Sequence, residues 1–216
     1  MKSVKQILLL IFMGISFHSM SQPEGYTPLT GTAKADIEKK ITIASQKISS
    51  LQCRFIQKRT SILFVGEAVS KGLLFYKTPN SLCWEYTEPV SSLFIFHHEN
   101  MYLKDEKGVV SSPNRMFKQL GNFIVSAING KGLVSNDNFK TDYYTNEKDK
   151  NTAWIKLTPV SKRVKEIYSF ILIKISTIDY LASEIIMEET SGDKTTIILL
   201  DKKLNTNIPE SRFSIN

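Results

Sequence analysis

The 216-residue sequence predicts an α+β fold, one domain in which a long antiparallel meander of about eleven strands packs against two helices. Three observations predict it. Apolar residues recur at helical spacing in two places, around 34–48 and 112–130. Elsewhere they alternate with polar residues in runs about ten residues apart, joined by short turns. Finally, no internal repeat, low-complexity tract or charge block marks a domain boundary.

The extreme N-terminus is a separate object. Lys2 and Lys5 give a positive start, residues 7–17 form a short apolar run, and Ser19, Met20 and Ser21 offer a cleavage site before Gln22. Such a run is too short to span a bilayer, so residues 1–21 are expected to be a secretory signal peptide and 22–216 the mature domain. An uncleaved anchor is the alternative. No cysteine follows the apolar run, so lipidation at the N-terminus is not expected. The greasiest later run, 167–175, is interrupted by Lys174. Loss of Lys2 and Lys5 lowers the formal charge from +7 to +5. The basic residues are scattered, with Lys162, Arg163 and Lys165 the densest cluster. Such an excess suits solvated surface, or attraction to an anionic membrane face or acidic partner. No basic-aromatic motif points to nucleic acid.

Following the chain, a Pro-, Gly- and Thr-containing linker (23–32) leads to Ile37, Ile41, Ala44 and Ile48 on one face of an amphipathic helix. Thr30 or Thr32 is the expected cap, and Asp36 suits the positive end of the dipole. Leu51, Cys53 and Phe55 then alternate as a strand. The stretch 66–89 predicts two more, 69–76 and 82–86, joined by a corner of Lys77, Thr78, Pro79, Asn80 and Ser81. In the second of these Leu82, Trp84 and Tyr86 share one face, with Cys83 and Glu85 on the other. A hairpin of 93–97 and 101–105 turns around Glu99 and Asn100, and Gly108 closes another turn.

Ser112 and Pro113 start the second helix, carrying Met116, Phe117, Leu120, Phe123, Ile124, Ala127 and Ile128. Gly121 weakens it by roughly 1 kcal/mol relative to alanine, and Gly130 can stop it. After a polar loop at 131–138, strands are predicted at 139–144, 152–158, 168–176, 181–189, 195–200 and 211–215.

The two cysteines fall on strands either side of 69–76. Neighbouring strands in chain order would separate them by two spacings of about 4.8 Å, too far for a disulfide. Two free buried thiols are expected.

A site for bond making is hard to find. His97 and His98 are adjacent in a strand and point to opposite faces, and Glu85 lies opposite Trp84. The sequence has no HExxH, CxxC, GxSxG or Gly-rich phosphate loop, so no enzyme, metal or cofactor is expected. The chain instead holds apolar surface in excess. With 12 Phe in the sequence, a curled sheet over two greasy helices either packs solid or leaves a hollow suited to acyl chains.

Phe55-Ile56-Gln57, Gly72-Leu73-Leu74, Lys77-Thr78-Pro79-Asn80, Trp84-Glu85-Tyr86 and Pro89, in that order and spacing, resemble the LolA family of periplasmic lipoprotein carriers. Gly192-Asp193-Lys194-Thr195, Asn205 and Arg212-Phe213 continue the resemblance. It implies an incomplete, strongly curved antiparallel β-barrel covered by helices on its open side. It also implies a monomeric, non-enzymatic periplasmic carrier that takes acylated lipoproteins from an inner-membrane ABC-type transporter to an outer-membrane acceptor. The hollow is expected to be lined by Phe55, Leu74, Tyr76, Trp84, Tyr86, Leu93 and Ile95 and covered by Met116, Leu120, Phe123 and Ile124. In the family an arginine before the corner proline latches the cover. Here that position is Thr78, so Lys77, Arg54 or Arg115 would have to substitute. The alternatives are a carrier or sensor of another lipid, such as a glycolipid or lipid-linked precursor, and a solid-cored protein-binding module.

Overall fold

Alternation sets the architecture, because each strand buries every second residue against the same interior. The computed structural model describes residues 23–214 except 24, 98–99, 112–120, 122–123, 126, 129–130 and 135–136. The described chain forms β1 (Thr27–Pro28), helix α1 (Gly31–Gln46), β2 (Ser50–Ser61), β3 (Phe64–Lys77), β4 (Ser81–Glu88), β5 (Ser92–His97), β6 (Asn100–Lys104) and β7 (Val110–Ser111). It continues through β8 (Phe139–Asn146), β9 (Asp149–Pro159), β10 (Tyr168–Ser176), β11 (Ala182–Glu189) and β12 (Lys194–Leu204). One twelve-stranded antiparallel sheet results, in the order β1-β8-β9-β10-β11-β12-β2-β3-β4-β5-β6-β7. The ends of that order do not meet, so the sheet is an open barrel, as the sequence predicts. The two outermost strands, β1 and β7, are two residues each, so the open edges are short.

Register fixes the two faces. Leu51, Cys53 and Phe55 of β2 stand opposite Tyr76, Leu74 and Gly72 of β3. Leu74 and Tyr76 in turn oppose Trp84 and Leu82 of β4, which oppose Phe94 and Phe96 of β5. This inner face joins Tyr143, Ile155, Leu157, Ile171, Ile173, Ile185 and Ile197 in one core with Ile37 and Ile41 of α1. The start of α1 is less regular than expected: Thr30 occupies the cap position, but its side chain makes no capping bond.

Gly121, Ile124, Val125, Ala127 and Ile128 are helical, and Ile124, Val125 and Ala127 are buried in the same core. The remainder of the predicted second helix lies outside the described residues. Gly121 also acquires a structural reason. A Cβ there would stand 2.7 Å from the Phe94 ring, so the glycine lets this segment approach β5 closely.

Four expectations are corrected. Residues 27–28, placed in the linker, pair with β8. The predicted loop after Gly130 contains a helical turn, Lys131–Val134, because Leu133 reaches the core. The first strand of the 66–89 stretch begins at Phe64, its early part pairing with β2 alone. The last predicted strand, 211–215, is instead a 3₁₀ turn, Glu210–Phe213. Both sides of β12 are already paired, to β11 and β2, so no adjacent sheet position is free for it.

Candidate functional site: an apolar cavity under the helices

Between the sheet and the helices lies a cavity of about 30 Å³, lined by residues that include Ile41, Ile48, Leu74, Trp84, Ile124 and Leu199. That is room for about two solvent-sized spheres, each taking ~10–15 Å³ on this measure. The interior is therefore hollow but nearly closed. A wider open groove of about 460 Å³ lies beside it, bounded by Lys40, Ile43 and Lys47 of α1, Ile178 and Asp179 of the β10–β11 turn, and Leu204. Ile48, Tyr180 and Leu181 line both spaces. They stand where the cavity meets the surface. Tyr180 holds a left-handed φ of 58°, uncommon for a bulky residue and a local strain held by the surrounding turn.

Of the residues expected to line the hollow, Leu74, Trp84 and Ile124 do so. Phe55, Tyr76 and Tyr86 are on the inner face but pack beside the cavity. Phe55 lies against Trp84 with centroids 4.3 Å apart and meets the Tyr86 ring edge-on at 5.3 Å. This close packing depends on Gly72, where a Cβ would fall 1.9 Å from the Glu85 carbonyl oxygen and 2.7 Å from the Phe55 ring. The Tyr86 hydroxyl donates to Gln57 at 2.9 Å, and burial pushes its pKa up to about 12. The Tyr76 hydroxyl donates to the Pro79 carbonyl at 3.3 Å. The buried Trp84 Nε1 has no acceptor in good geometry among the described residues, but it lies near enough to the Tyr86 hydroxyl to favour that group's ionised form.

Leu93 and Ile95 do not line the hollow. Their register opposite Glu85 and Cys83 puts them on the outer face. There Leu93 packs beside a second core of Phe75, Cys83, Ile208 and Phe213. Met116, Leu120 and Phe123 lie outside the described residues. The opposite wall, absent from the expected lining, is Tyr180, Leu181, Ala182, Ile185, Leu199 and Lys202. Alternation in 181–189 and 195–200 was visible, but only strand order shows that these strands face Leu74 and Trp84 across the interior.

Thr78 is exposed, and both its backbone N–H and its hydroxyl donate to the Ser49 carbonyl, at 3.0 and 3.3 Å. It thus ties the corner to the chain leaving α1. Of the candidates for the latch, Lys77 pairs with Glu210 and Arg54 with Asp201. Arg115 lies outside the described residues.

Ser81 and His97 share a hydrogen bond of 2.7 Å, with Phe213 stacked on the imidazole at 5.9 Å. This pair belongs to the outer core. Among the described residues no cluster of side chains could hold a metal ion, and no helix is long and apolar enough to cross a membrane.

An open antiparallel sheet closed over by helices, with an apolar cavity between, is an open-barrel architecture with an apolar interior. The chain belongs to the family described as outer membrane lipoprotein carrier protein LolA, whose profile matches residues 46–216. Similar solved structures include a LolA superfamily protein from Nitrosomonas europaea, 14% identical, with 84% of this chain and 97% of that one covered and a TM-score of 0.44. Another is a Vibrio parahaemolyticus domain described as an outer membrane lipoprotein-sorting protein, 10% identical, with 82% and 94% covered and a TM-score of 0.48. The lipoprotein LppX of Mycobacterium tuberculosis is 10% identical, with 83% and 100% covered and a TM-score of 0.41. No curated protein matches the sequence significantly.

Proposed function

We propose that this protein is a non-enzymatic periplasmic carrier, exported by residues 1–21, that shields the acyl chains of lipoproteins between an inner-membrane ABC-type transporter and an outer-membrane acceptor. The observation that carries this reading is the apolar cavity enclosed between sheet and helices in a chain of the LolA family. The physics calls for such a shield. Exposing about fifteen methylenes to water costs roughly 12 kcal/mol at ~0.8 kcal/mol each, which makes unaided transfer through an aqueous gap negligible.

The cavity is too small for an acyl chain as it stands, so loading requires the walls to part. The junction at Ile48, Tyr180 and Leu181 leads directly to the open groove. A carrier that opens in this way spends little apolar surface on water when empty.

The test is mass spectrometry of organic extracts from the purified protein, alongside Ala182→Phe. This substitution fills the hollow from a half-buried wall position without burying a charge. Acylated polypeptide in the wild-type extract, lost in a folded variant, is the expected result. Free glycolipid or lipid-linked precursor in its place would turn the reading to another cargo. Extracts without any lipid, together with no displacement of a fluorescent fatty acid, would overturn it in favour of a solid-cored binding module.

A further inference from the structure

The longest hairpin of the sheet ends in a feature that shielding of a lipid in the interior does not require. At the β2–β3 turn Ile62, Leu63, Phe64 and Val65 are 70%, 78%, 76% and 109% exposed. β3 pairs with β4 only from Lys71 onward, so residues 64–70 run beyond the neighbouring strand and carry this tip outward. A run of four apolar residues in water is costly and uncommon on a monomer's surface.

The tip is held in place. The Ile62 N–H donates to Asp193 Oδ1 at 3.3 Å, and Arg59 bridges Asp193 and Glu189 at 3.2 and 3.6 Å. Gly192 lets the Ile62 side chain close in, since a Cβ there would fall 2.9 Å from Ile62 Cγ2.

A second observation concerns charge at the same end of the sheet. The β11–β12 turn that holds Ile62 is tied to the β9–β10 connection: Thr190 donates from its N–H to the Ile167 carbonyl and from its hydroxyl to that of Glu166. That connection carries Lys162, Arg163 and Lys165, all exposed and without an ion pair among the described residues, and Lys194 is exposed at the start of β12. The acids here are mostly engaged, Glu67 with Lys58, Glu88 with Lys71, and Asp193 and Glu189 with Arg59. Glu166 is exposed within the basic cluster. Four cations without an ion pair among the described residues thus stand at the end of the sheet that carries the apolar tip.

We infer that this end of the sheet docks on an anionic lipid bilayer, the tip of Ile62, Leu63, Phe64 and Val65 entering the acyl boundary while Lys162, Arg163, Lys165 and Lys194 meet the headgroups. Phe64 and Val65 are successive strand residues and point to opposite faces, beside the turn of Ile62 and Leu63. A flat protein partner would cover one face of the hairpin, whereas a bilayer covers both at once. Exposed apolar residues rimmed by lysine and arginine are also the combination that anchors proteins at charged interfaces. The inference is independent of what the cavity carries.

Co-sedimentation of the protein with vesicles tests it. Vesicles containing phosphatidylglycerol should pellet the wild type at low salt, and pure phosphatidylcholine vesicles should pellet it at least fivefold less. The double variant Leu63→Glu/Phe64→Glu, with unchanged circular dichroism, should lower partition at least tenfold. Lys162→Glu/Lys165→Glu should lower it severalfold and flatten its salt dependence. Wild type remaining in the supernatant, or a tip variant that pellets like wild type, overturns the inference. So does a dimer in vesicle-free solution that the tip variant dissolves while vesicle binding is absent, since the tip would then be an interface between copies.

Discussion

Cys53 and Cys83 lie two strands apart on opposite faces of the sheet, one in the inner core and one in the outer. Both are free, and burial pushes each thiol up to about 12. For Cys53 nearby Lys202 lowers the value slightly; for Cys83 Glu85 raises it further and Arg212 lowers it. A thiol so placed holds almost no thiolate at neutral pH, and the thiolate is the nucleophile. A thiol titration at pH 8 should therefore find no reactive cysteine in the native protein and both after unfolding in guanidinium. Fast labelling of either under native conditions would show that its core opens readily. Two free buried thiols were legible in the sequence from alternation and strand order. The parity of Leu93 and Ile95 was not, because 93–96 is apolar on both faces and alternation gives no sign. The outer core that claims Leu93 depends on Phe213, more than a hundred residues away in the chain.

Among the elements, a buried hydrogen bond ties the turn that follows the helical cover to the sheet. The Tyr143 hydroxyl of β8 donates at 2.7 Å to the carbonyl of Leu133, in the turn that follows the cover. Burial holds the Tyr143 hydroxyl well above its usual pKa, so it stays a donor at any physiological pH. Tyr143→Phe would strip that carbonyl of its partner at a net cost of about 1 kcal/mol. The cover should then open roughly fivefold more often, since about 1.4 kcal/mol is tenfold. Faster amide exchange at Leu133 and Val134 and faster uptake of a fluorescent fatty acid would show it; unchanged exchange would place the restraint elsewhere. The sequence indicated the greasy face of this cover, with Ile124, Ala127 and Ile128. It did not show the turn at Lys131–Val134, where Gly130 and polar neighbours suggest a loop and one leucine decides otherwise.

Across the whole molecule, the family and the open sheet were legible because they depend on strand period and on short motifs. The size of the hollow was not, because packing against α1 and β10–β12 is a property of the closed assembly. The sheet is also unequal from one side to the other. Over β3–β5 it is packed on the inner face by the main core and on the outer face by Ile208 and Phe213. Arg212 reinforces the outer side, pairing with Glu85 at 3.1 Å and lying 4.6 Å over the Phe75 ring. Phe213→Ala should lower unfolding free energy by about 3 kcal/mol, measured by urea titration. A loss under about 1 kcal/mol would mean that this outer core adds little.

That inequality has a mechanical meaning. A strip clamped on both faces behaves as a stiff plate, because any change of curvature must shear one core or the other. Over β9–β12 no second buried core backs the outer face among the described residues; Tyr26 meets Trp154 edge-on at one end, and Lys174 lies over Trp154 and Lys156 over Phe170. If the cavity opens, bending should therefore concentrate in β9–β12, with the β10–β11 turn and Tyr180 at the moving edge, and faster amide exchange in β10 and β11 than in β3 and β4 would show it.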